Sequence, residues 1–110
     1  MKHIKLKITA FLLGLVLVMQ LNAAEGFTSA GKVVEVYPTV NGELYVEVAA
    51  TSNPSGCTHA SWFTAASGAG TSRVLSVLLT AKTLDKDVQL YVTGTCDQWG
   101  YSNISSVRMK

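Results

Sequence analysis

Two cysteines, Cys57 and Cys96, constrain this chain more than any other feature. Cys57 closes the turn-rich run Ser52-Asn53-Pro54-Ser55-Gly56, and Cys96 opens the polar and aromatic run Asp97-Gln98-Trp99-Gly100-Tyr101. We read the pair as one disulfide that ties the first half of a small domain to its last hairpin. Two thiols can also make half a metal site, but His59 is the only histidine beyond the N-terminal segment. A disulfide suits a short chain that folds in an oxidising compartment.

The N-terminus points the same way. Lys2, Lys5 and Lys7 form a basic head, Ile8 to Met19 is an apolar run broken only by Thr9 and Gly14, and Leu21-Asn22-Ala23-Ala24 supplies small residues. This is the pattern of an export signal, and its apolar part falls short of the ~20 residues that span a bilayer. Residues 1–23 are therefore expected to be a signal peptide and 24–110 one domain, periplasmic or secreted, with no membrane span in the mature chain.

Removing the signal reverses the charge. The mature chain keeps six lysines and arginines against seven acidic residues, a net charge of −1. Binding to phosphate backbones calls for a basic stripe. None is present, so nucleic acid is not an expected partner.

Hydrophobic periodicity orders the elements. Val33 to Tyr37 is rich in β-branched residues and is ended by Pro38, and Asn41-Gly42 predicts a two-residue type I′ hairpin. Leu44, Val46, Val48 and Ala50 alternate with Glu43, Tyr45, Glu47 and Ala49, which predicts a strand with one buried face. A third strand is expected over Ala60–Ala65. Ser67-Gly68-Ala69-Gly70 is read as a flexible break, followed by a helix from Arg73 to about Leu84, capped by Thr71 or Ser72. Val88, Leu90 and Val92 begin a fourth strand that breaks at Gly94, and Asn103–Met109 gives a fifth. The fold class expected is mainly β: a five-stranded OB-like barrel with one helix between the third and fourth strands and one disulfide. A half-open sheet packed on a helix is the alternative.

The apolar positions of the helix spread over roughly 220° at ~100° per residue, wider than the usual stripe of a surface helix. Leu75 and Leu79 are therefore candidate contacts of a homo-oligomer.

Catalysis is hard to build from these residues. A serine-histidine-aspartate arrangement would rest on His59 alone, two residues from a cysteine. Asp85 and Asp87 read as solvated turn residues, and phosphate-cradling glycines, zinc-ligand spacing and calcium loops are all missing. No enzyme activity, cofactor or metal is expected. Binding is easier to build: Asp97, Trp99, Tyr101, Ser102 and Asn103 gather aromatic faces, amide and carboxylate groups that suit a sugar ring. The competing use of Trp99 and Trp62 is to pack against the disulfide and close an end of the barrel. Tyr45 and Tyr91 are read as ordinary surface aromatics.

Asn53-Pro54-Ser55-Gly56-Cys57, Leu78-Leu79-Thr80-Ala81 and Tyr91-Val92-Thr93-Gly94-Thr95-Cys96-Asp97, followed by Trp99-Gly100-Tyr101, resemble a set of small, exported, largely uncharacterised bacterial proteins. The element order also resembles the B subunits of pentameric bacterial toxins of the subtilase-cytotoxin and pertussis types. Those are OB-fold lectins, so this second resemblance implies glycan binding and ring assembly. The function expected is a secreted, non-catalytic binding module for a glycan. The alternatives are a structural or inhibitory partner of another exported protein and, last, a small secreted hydrolase.

Overall fold

A computed structural model describes residues 24–110; the expected signal segment lies outside them. The protein is mainly β. Its strands are β1 (Gly26–Phe27), β2 (Gly31–Pro38), β3 (Leu44–Val48), β4 (His59–Ala65), β5 (Asp87–Cys96) and β6 (Tyr101–Met109), with one helix, α1 (Ala69–Leu84). Strands β2, β3, β4, β6 and β5 close into a five-stranded barrel, because β5 pairs with both β2 and β6. All pairings are antiparallel except β4–β6, which is parallel.

The helix lies between the fourth and fifth strands rather than the third and fourth. Gly26–Phe27, outside the five strands expected from sequence, is a short strand on Tyr91 and Val92 of β5. Thr28 fixes it there: its amide donates to the Leu90 carbonyl at 2.9 Å, and its buried hydroxyl accepts from the Leu90 amide at 3.2 Å. Polar ties of this kind leave no periodic trace in a sequence.

Alternation fills the barrel. Leu44, Val46 and Val48 of β3, Phe63 of β4 and Val88, Leu90 and Val92 of β5 point inward and are at most 1% exposed. Side chains buried this fully contribute roughly 1.5–3 kcal/mol each. Helix α1 adds Leu78 and Ala81 to the core, with Val74 and Leu75 packed against it. Most of the wide apolar arc is thus covered within one chain. Leu79 and Leu84 stay exposed.

The helix begins four residues before the expected start. Gly68 occupies the N-cap with no side-chain bond, and Thr71 turns back to donate its hydroxyl to the Ala66 carbonyl. At the other end Asp85 takes the left-handed conformation (φ 54°) usually given to glycine. Lys86 N donates to Ala81 O (2.9 Å) and Asp85 N to Lys82 O (3.3 Å), the paired bonds of a Schellman cap. Lys32 Nζ braces the corner, donating to the Asp85 carbonyl at 2.6 Å and pairing with Asp87 at 3.1 Å. Among the described residues no helix is long and apolar enough to cross a membrane.

Candidate functional site

Two hairpins with the same backbone plan frame the site. In the β2–β3 loop, Thr39 N donates to Glu43 O (2.9 Å), Gly42 N to Thr39 O (3.1 Å), and the Glu43 amide to the Thr39 hydroxyl (3.2 Å). In the β5–β6 loop, Asp97 N donates to Tyr101 O (2.9 Å), Gly100 N to Asp97 O (3.0 Å), and the Tyr101 amide to Asp97 Oδ1 (2.9 Å). Each is a turn closed by a left-handed glycine, Gly42 (φ 87°) or Gly100 (φ 83°). This corrects the expected type I′ turn at Asn41-Gly42: Asn41 has no positive φ, and the loop is the three-residue kind with a glycine bulge.

Register then builds the outer face. Opposite Tyr45 stand Tyr37 on β2 and Thr64 on β4; opposite Glu47 stand Glu35 and Trp62. The inward setting of Leu44, Val46 and Val48 turns this whole row outward. Tyr101 enters from β6, and Trp99 reaches in from the tip of the second hairpin.

The rings interlock. Tyr45 meets Tyr37 edge-on with centroids 6.1 Å apart, Trp99 at 6.4 Å and Tyr101 at 5.8 Å. Trp62 stacks on Tyr101 at 5.9 Å with the planes 25° apart, and His59 meets the same ring edge-on at 5.1 Å. Such pairs are worth about 0.5–1.5 kcal/mol each beyond their burial, which holds the wall in place. The tyrosine and tryptophan rings, with Glu35 and Thr39, line an open cleft of about 510 Å³. Tyr45 and Trp99 also form the ridge toward a second depression of about 340 Å³, which reaches Glu43, Asp97 and Asn103.

The sequence-derived candidates divide. Trp99, 56% exposed, and Tyr101 line the cleft. Asp97 borders the second depression and uses Oδ1 to hold the Trp99 and Tyr101 amides, both at 2.9 Å, so it shapes the loop. Asn103 lines that depression too, donating to Thr95 Oγ1 at 2.9 Å. Ser102 has no exposed surface. Its hydroxyl is bonded to Ser55 Oγ (2.7 Å) and accepts from Asn53 Nδ2 (2.9 Å), so it anchors the Asn53–Ser55 turn and presents nothing to a ligand. Beside this anchor Cys57 and Cys96 form the disulfide, their Cα atoms 5.7 Å apart. Leu75 packs against the core, and Leu79 is 47% exposed on the outer side of α1, away from the cleft.

Sequence reasoning missed Glu35, Tyr37, Thr39, Tyr45 and Trp62 as cleft residues. A signal was there: once the hairpin at Gly42 is fixed, counting back along both strands puts Tyr37 opposite Tyr45.

The surroundings are acidic. Tyr45 donates its hydroxyl to Glu43 Oε2 at 3.2 Å, and partial burial, followed by the charges of Glu43 and Asp97, holds its phenol above the ordinary value. Among the described residues no lysine or arginine lines the cleft or the second depression. Among the described residues no group of three or more histidine, cysteine or carboxylate side chains is placed to hold a metal ion. No protein-family model matches the chain, and neither curated proteins nor solved structures give a match.

Proposed function

We propose that this chain is an exported, non-catalytic binding module, an OB-like barrel whose outer face binds a glycan in the aromatic cleft. The barrel order β2-β3-β4-β6-β5, with β6 parallel to β4 and the helix entering after β4, supports the OB-like reading. The disulfide supports export. Fold alone does not carry function. The observation that does is the wall of five rings contributed by four strands and a hairpin. Sugar rings offer C–H faces to aromatic planes and hydroxyls to neighbouring polar groups, and Glu35 and Thr39 supply such groups at the rim. The exposed Leu79 and Leu84 are the contacts through which copies of the chain would associate.

Trp62 and Trp99, the two tryptophans of the sequence, both line the cleft. Tryptophan emission therefore reports the cleft directly. Titration with glycans drawn from an array should shift that emission, and Trp99→Ala and Tyr45→Ala should each weaken binding at least tenfold while the chain stays folded. Array signals unchanged by both substitutions would reject the reading.

A second reading, a grip on another exported protein, is favoured by the twin hairpin tips. Val40 is fully exposed at one and Trp99 largely exposed at the other. Free sugar should elute a glycan-bound partner and leave a protein-bound one in place.

A further inference from the structure

The outer face carries a charge arrangement that folding does not explain. Glu35 on β2 and Glu47 on β3 are direct register partners, and Trp62 follows Glu47 on β4. Like charges placed opposite each other across a sheet destabilise it. Among the described residues Lys32 is the only cation in an ion pair with a carboxylate, and its partners are Asp85 and Asp87. Glu35 and Glu47 thus face each other without a cation. Glu35 lines the aromatic cleft, and Glu43 and Asp97 border the depression next to it.

An aromatic wall attracts cations through the negative faces of its rings, and carboxylates at the rim add to that pull. The same set repels a carboxylate or sulfate. We infer that the cleft selects glycans carrying free amino groups over neutral and acidic ones, with Glu35 on the cleft wall receiving the ammonium and Glu47, its register partner, adding to the negative charge there. This rests on the cleft being the glycan site and names which glycans it takes. The cross-strand repulsion is then a cost in the empty protein that a bound ammonium removes.

The test is tryptophan emission titrated with four probes: a β-1,4-linked glucosamine oligomer, its fully N-acetylated counterpart, sialyllactose, and choline. The amine-bearing oligomer should bind at least fivefold more tightly than the acetylated one, and sialyllactose weakest. Glu35→Gln and Glu47→Gln should each cut that preference about three- to fivefold, the scale of one exposed ion pair, and raised salt should shrink it in the unmodified protein. Without ligand, both substitutions should raise the melting temperature, a gain that a stabilising structural role for either carboxylate would not give. Equal binding of the two oligomers, or tighter binding of sialyllactose, overturns the amine preference and leaves the glycan reading standing. Silence from all three sugars overturns the amine preference, and silence across the glycan array as well overturns both. Response to choline alone overturns both as well and assigns the cleft to quaternary ammonium groups.

Discussion

Replacing Cys57 and Cys96 together by serine should remove a large share of the stability of the barrel. The bond spans 39 residues of sequence, and closing a loop of that length in the unfolded chain is worth about 4 kcal/mol in the chain-entropy account. Small domains hold roughly 5–15 kcal/mol in all. At about 4–8 °C per kcal/mol for a domain of this size, the melting temperature should fall by roughly 15–30 °C. The hydrogen bonds of Asn53, Ser55 and Ser102 survive the substitution, so the variant should still fold at low temperature with native tryptophan emission. The assay is urea and thermal unfolding followed by circular dichroism, with the unmodified protein under reducing conditions as a second arm. Because the effect acts on the unfolded chain, the urea dependence should steepen as that chain expands. A loss below about 1 kcal/mol with unchanged urea dependence would refute the argument, because the crosslink would then not be restraining the unfolded state.

Asn53→Ala should cost about 2–3 kcal/mol in urea unfolding, since it removes bonds to Ala60 O, Ser102 Oγ and the Ser55 amide and leaves the buried Ser102 hydroxyl with Ser55 Oγ as its remaining partner. Gly100→Ala should cost roughly 1–2 kcal/mol from the left-handed backbone alone, and more from a Cβ placed 2.9 Å from Thr58 Cβ. Tyr45 should ionise above 10.0 in a spectrophotometric titration, and Glu43→Gln should bring it back toward that value. The unfolded chain releases this proton first, so the contribution to stability is complete below about pH 10 and is lost as pH rises through the higher folded value. Light scattering on the mature chain should give a mass above that of one copy, and Leu79→Lys should reduce it to one.

The parts of the fold that could be read from sequence are those fixed by local pattern. The alternation of Leu44, Val46 and Val48 and the run Val88–Val92 are period-two signals. Cys57 and Cys96 could pair because no other thiol competes. The elements misread were set by partners distant in sequence. Gly26–Phe27 is a strand because Tyr91 and Val92 lie beside it. β5 runs past Gly94 to Cys96 because β6 pairs with it across a register shift. The early helix start needs no side-chain cap, so it had no motif to show. The cleft was half legible for the same reason. Trp99 and Tyr101 share one hairpin, whereas Tyr37, Tyr45 and Trp62 meet them only after three strands are in register.

Strand β6 is bonded along both edges, to β4 on one side and β5 on the other. Until Tyr101–Met109 slots into that gap, two bare strand borders face each other across an open seam, each a template for pairing with a neighbouring molecule. Closure requires contacts between segments some 40 positions apart, the slow kind of folding event. A weakened β6 should therefore be read out as clumping during refolding sooner than as a lower melting point, and a peptide copying β6, added while the chain refolds, should compete for the seam.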